Sequence, residues 1–291
     1  MPPKDFDPLD TLLSARVAVI AGKGGVGKTT VTAVLARAAF LAGRRVLVVE
    51  LDGKDQLSGL VGTPGPDLMS LSASAALREY LDTHGLSRVS RRLVSAGVID
   101  VVATAAPGID DIVVLGKVKQ LERRGEYDLI VVDGPAAGHA ITMLSAAAGL
   151  RRSTRGGPVR AQADDVADML ADHRRSQVVL VTLPETTPVN EAVDTAYALE
   201  DEVGVRLGML IVNAVDHGTP LEVDEHDTSA EHRAASFRNA RRSLQRAELQ
   251  RLDEVLALPR VELPAVPAAN LDARAIDRLA HTLLPTGAAF R

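Results

Sequence analysis

RVAVIAGKGGVGKTT, residues 16–30, decides the fold. Its apolar opening reads as a short strand. Beyond that strand, Gly22, Lys23, Gly24, Gly25, Val26, Gly27, Lys28, Thr29 and Thr30 spell Gly, four residues, then Gly-Lys-Thr, with the register of a phosphate-binding loop between strand and helix. Glycines let successive backbone N–H groups curl around phosphate oxygens where a Cβ would clash. In such a loop Lys28 reaches the β- and γ-phosphates and Thr29 offers its hydroxyl to Mg²⁺. The pattern predicts a helix from Thr30 to Ala42, closed by Gly43, whose N-terminal dipole adds to the same anion site. ATP and Mg²⁺ are the expected cofactors, with residues 22–30 as the cradle.

Outward from the loop, RRVLVVELD supplies a second strand whose end carries Glu50 and Asp52, two residues apart and therefore on one side. Carboxylates at that end of a strand face the nucleotide crevice, where they position water or organise the metal. YDLIVVDGPAAGH, residues 127–139, gives a buried strand over Leu129–Val132 ending in Asp133, the expected partner of Mg²⁺ through its water shell. Gly134, Pro135 and Gly138 are expected to form a turn, with His139 behind it. A strand over Val178–Val181 leads to Leu183-Pro184-Glu185 and a helix with Thr187 as cap and Pro188 as its first residue. GMLIVN ends in Asn213, whose amide suits the paired donor and acceptor of adenine; a turn-forming asparagine is the alternative reading.

The remaining segments complete an alternation of strands and helices. GTPGPDLMS reads as a turn-rich linker, and two short helices come after it within a helical insertion over residues 61–98, on the spacing of Leu77 with Leu81 and of Val89 with Leu93. IDVVATAAPG reads as a strand and residues 109–123 as a helix. Residues 216–233 form a polar, aperiodic loop, and an amphipathic helix behind it places Phe237, Ala240, Leu244, Ala247, Val255 and Leu256 at helical intervals, with arginines opposite. VELPAVP and a helix over residues 271–284 close the chain. Six or seven strands interleaved with helices imply an α/β fold: a doubly wound, mostly parallel sheet of the P-loop NTPase kind, one domain over residues 1–291 with small helical insertions.

Composition narrows the function. With 46% hydrophobic residues in 291, the chain can bury one sizeable core. Aromatics are 2% and the formal charge is −5, so neither stacking platforms nor a basic field favours nucleic acid as a partner. The absence of cysteine excludes disulfides, thiolate catalysis and thiolate metal sites. The first ten residues lack the pattern of a secretory leader and read as a cytoplasmic terminus. No apolar run is long enough to span a bilayer, so no integral membrane segment is expected.

Lys23, directly after the first glycine, makes the loop distinctive. Gly-Lys-Gly-Gly-x-Gly-Lys-Thr resembles the loop of the ATPases that include chromosome-partitioning, septum-positioning, nitrogenase-reductase and arsenite-pump members. The segment from Glu50 to Ser58 resembles the first switch of arsenite-pump and tail-anchored-protein-targeting ATPases, and residues 133–139 resemble their second switch, one residue shorter between aspartate and proline. The resemblance covers about residues 16–284. It implies that Asp52 orients the attacking water, that Lys23 reaches across a dimer interface to the partner's nucleotide, and that Asn213 recognises the base. Gly53 stands where proline is usual in the relatives.

The resemblance also implies a homodimer or a heterodimer with a paralogue. Metalloid handling in the relatives uses cysteines, which are absent here. The expectation is a slow ATPase whose dimer opens and closes to handle a protein client or a membrane-associated partner. The alternative is a positioning ATPase that binds a nucleoid or membrane surface.

Overall fold

The computed structural model describes residues 6–51, 56–83, 85, 87–95, 108–224, 229–268 and 270–284. A short helix α1 (Pro8–Leu13), capped by the Asp7 carboxylate on the amides of Leu9 and Asp10, leads into β1 (Val17–Gly22). Then come α2 (Lys28–Leu41), β2 (Val46–Leu51), β3 (Asp67–Leu71), α3 (Ala73–Thr83), α4 (Ser87–Ser95) and α5 (Ile109–Arg124). The second half runs β4 (Leu129–Ala136), α6 (Ala137–Ser153), α7 (Pro158–Ala171), β5 (Ser176–Thr182), α8 (Thr186–Ala198), β6 (Leu207–Val215), α9 (Ala230–Val255), β7 (Arg260–Pro264) and α10 (Ala273–His281).

The described strands form one seven-stranded sheet in the order β3-β2-β4-β1-β5-β6-β7, and every pairing is parallel. The central strands read as unbroken aliphatic runs because both faces are covered: β1 is buried at all six positions. Alternate residues enter two separate cores. Val17, Val19 and Ala21 join the layer under α5, α6 and α7, while Ala18 and Ile20 join the layer under α1, α2 and α10. Helix α2 lies between sheet and α10, so it is buried nearly all round, with Val31 to Ala36 inaccessible. The chain turns from β1 to one side of the sheet through α2 and later returns to the other side through β5, so the crevice at the carboxyl ends of β1 and β4 is the topological switch point.

Three local expectations change. Residues 67–71 are not linker but β3, the edge strand beside β2. Residues 134–136 are not a turn: β4 runs on to Ala136 and α6 begins at once with Ala137. The extended strand needs Gly134, since a Cβ there would lie 2.1 Å from the Ile20 carbonyl oxygen. Glu185, not Thr187, is the N-cap of α8, with Pro188 inside the first turn where it displaces no helical bond. The two helices expected after the linker are α3 and α4, and Leu77 is buried in the core as its spacing requires. The strand expected at IDVVATAAPG falls outside the described residues save for Gly108.

Candidate nucleotide-binding site

The loop between β1 and α2 is anchored from below and from the side. Val26 inserts into the core, 1% exposed, while the adjacent Gly24 and Gly25 are exposed. Gly27 caps α2 at φ 87°, a left-handed conformation that L side chains avoid, and a Cβ there would sit 2.4 Å from the Asn213 amide nitrogen. That amide donates to the Val26 carbonyl at 3.0 Å, and its oxygen accepts from the Ala214 backbone at 3.0 Å. Asn213 is therefore a clasp between β6 and the loop. It is not the last residue of its strand, which continues to Val215, and Ala214 beside it has φ 57°.

Lys28 turns inward. Its ammonium donates to the carbonyls of Gly22 and Lys23, both at 3.1 Å, so the charge hangs inside the loop's curve. Lys23 points away from it. Its ammonium meets the Glu191 carboxylate on α8 at 2.5 Å, and both side chains are partly open to solvent. The five-residue spacing of the two lysines thus sends one to the inside of the cradle and the other to its rim. Thr30 lies on the first turn of α2, half-buried.

Asp133, buried at the end of the apolar run in β4, is gripped through both oxygens. Thr29 donates to Oδ2 at 2.8 Å and Thr32 to Oδ1 at 3.0 Å. Thr32, fully buried, is a site residue that the sequence reading missed. Its signal was the three-residue step from Thr29, which puts both hydroxyls on the side of α2 facing β4. A hydroxyl and a carboxylate in direct contact are hard oxygen donors of the kind Mg²⁺ selects, and the site fits that ion. Glu50 is the register neighbour of Asp133 on β2 and is likewise buried, but its Oε1 accepts from the Gln56 backbone at 3.0 Å, holding the return of the chain after β2. Asp52 lies outside the described residues.

His139, in the first turn of α6, faces Asp111 at 3.5 Å on the first turn of α5. Burial pushes the Asp111 carboxyl up, as does neighbouring Asp110, and His139 pulls the other way. The contact brings together the first turns of α5 and α6.

The combination of a glycine-rich loop at a switch point, one lysine inside it and a Thr–Asp pair at its base agrees with a family-level match. The model of the CobQ/CobB/MinD/ParA nucleotide binding domain matches residues 17–231. The chain belongs to this family. It is also 28% identical to the ATPase BagA of Mycobacterium tuberculosis, over 95% of this chain and 94% of that protein. To ATPase ARSA1 of Chlamydomonas reinhardtii it is 24% identical, over 95% of this chain but 43% of that one. ATPase GET3B of Arabidopsis thaliana is 24% identical over 72% of this chain and 66% of its own length. The protein is a P-loop ATPase-family member related at low identity to arsenite-pump and tail-anchor-targeting ATPases. No helix among the described residues is long and apolar enough to cross a membrane.

Proposed function

We propose that this protein binds ATP with Mg²⁺, hydrolyses it slowly, and works as a dimeric switch, of identical chains or with a paralogue, that handles a protein client or a membrane-associated partner. The observation that carries the reading is the divergence of the two loop lysines. Lys28 stays within its own cradle, where it would meet the β- and γ-phosphates, whereas Lys23 is directed out to the rim and held by Glu191, from which a facing chain would draw it. Thr29 and Asp133 would hold Mg²⁺, which neutralises charge on the phosphates; Asp52 would orient the attacking water, and Asn213, which clasps the loop, would recognise the base. Hydrolysis would then change which contacts cross the interface, and the interface would transmit the nucleotide state to the partner.

Complementation between two inactive chains tests it. A Lys23→Ala chain and an Asp52→Asn chain each hydrolyse ATP poorly alone. Mixed, they form one site with the intact Asp52 of the first and the intact Lys23 of the second, and phosphate release returns in part. Absence of recovery in verified mixed dimers removes Lys23 from the interface role.

A further inference from the structure

A cavity of about 610 Å³ opens between α3, α5 and α7, and no residue of the phosphate loop lines it. Its volume falls in the range of small-molecule sites, roughly 300–1,000 Å³. Helix α5 forms the floor: Val113, Gly116, Lys117, Gln120 and Arg124 recur at steps of three, one, three and four, so they share one face. The Gln162 side chain of α7 lies directly across Gly116, in the space that a Cβ would take.

Two lysines, Lys119 buried and Lys117 partly so, brace the walls. Lys117 is paired to Glu79 of α3 at 2.5 Å, and Lys119 to Asp165 of α7 at 2.8 Å with a further bond to Gln162 at 3.2 Å. Arg123 also reaches Asp165, whose carboxyl is held below its usual range chiefly by Lys119 and further by Arg123. The lining then carries four cations, Lys117, Lys119, Arg123 and Arg124, against two carboxylates, Glu79 and Asp165. Its polarity is directional. Each of the three helices runs back towards the amino-terminal edge of the parallel sheet, so their early residues Ala76, Val113 and Ala161 gather at one end, with Gly116 midway. Arg123 and Arg124, at the close of α5, stand at the other.

We propose that this cavity binds an amphiphilic anion of fatty-acid type, its chain against the small and aliphatic residues at the nucleotide-side end and its carboxylate with Arg123 and Arg124. Charge complementarity and the small-residue floor argue for a slender single chain with one anionic head.

Displacement of a fluorescent fatty-acid analogue by dodecanoate, below its micellar concentration, tests the proposal on the full chain. The expected result is saturable one-to-one competition by dodecanoate, at least tenfold weaker competition by dodecanol, and none by inorganic phosphate or by an apolar peptide. Arg123→Ala/Arg124→Ala, both exposed positions, weakens dodecanoate at least tenfold while leaving dodecanol unchanged. Ala161→Trp, at an exposed wall position, blocks both, and each variant keeps its ATP affinity as the control for folding. Equal competition by acid and alcohol, preference for peptide or phosphate, or indifference to both variants would overturn it.

Discussion

The Lys23 ammonium and the Glu191 carboxylate, 168 residues apart in sequence, meet at 2.5 Å within a single chain. An ammonium so placed must leave this carboxylate before it can touch a phosphate elsewhere. Glu191 therefore competes with any partner for Lys23. Because both groups are partly solvated, the pair is worth only ~0.2–1 kcal/mol. With two such pairs released per two-fold dimer, Glu191→Gln should lower the protein concentration at which ATP drives half of the chains into dimers, by about 2- to 30-fold. Sedimentation across a concentration series reads this directly, and an unchanged or raised midpoint would show that Glu191 does not restrain Lys23.

Asp52→Asn should keep ATP binding within a few-fold and suppress turnover, since the change disturbs water orientation and leaves the cradle of residues 22–30 intact. Nucleotide titration and phosphate release on one preparation separate the two effects. Unchanged turnover would move the role to Glu50, although that carboxylate is engaged by the Gln56 backbone.

Asn213→Ala removes the bond to the Val26 carbonyl, a contact worth ~0.5–1.5 kcal/mol net. ATP and GTP should both bind about 2- to 10-fold more weakly, because the loop itself loosens. A base-recognising role adds a further loss confined to ATP, so the ATP-to-GTP ratio, measured for both chains, tells how much of the effect reaches the base.

Asp216 accepts two bonds from Arg238, at 2.8 and 2.9 Å, and one from the Gly218 backbone, and the arginine holds its carboxyl down to about 2. The folded value lies below the unfolded one, so the contact contributes fully above about pH 4 and its contribution is lost as the pH falls through about 2. After allowance for solvent screening, the effect is ~0.5–1 kcal/mol, or roughly 1–3 °C in melting temperature. Arg238→Ala should melt lower than the parent at pH 6, and the two should converge towards pH 2. A constant difference across that range would mean that the ion pair is not its source.

The parts of this molecule legible in sequence are those whose chemistry is local. The glycine loop, its lysine and the Asp133 strand end each sit in a contiguous stretch whose residue types have one use. Edge strand β3 is hidden in the sequence because its positions are mostly exposed, so DLMSL lacks the aliphatic run of the inner strands and sits behind turn residues. Helix α9 is legible as a helix but not in its orientation. Phe237 and Leu244 stand exposed, while Arg242 and Gln245 are buried. The reason is the loop before it: Gln245 accepts from the Asp216 backbone at 3.1 Å, and Arg242 reaches the Asp216 carbonyl and carboxylate. These contacts to a loop more than twenty residues away set which face turns inward, and no periodicity reports that. Thr32 and Glu191 depend in the same way on neighbours more than 100 residues distant.

The Asn213 clasp has a kinetic consequence. Between that amide, the buried Val26 and the left-handed cap at Gly27, the loop's shape is fixed by folding, so the entropy of ordering it is not charged to ligand capture. Nucleotide capture should then be a single step, with an observed rate rising linearly with concentration and no slow phase at saturation. Once the clasp is cut, the same ordering has to occur at encounter. The phosphate contacts would be unaltered, yet the association trace would acquire a plateau set by how often the loop finds its own curve.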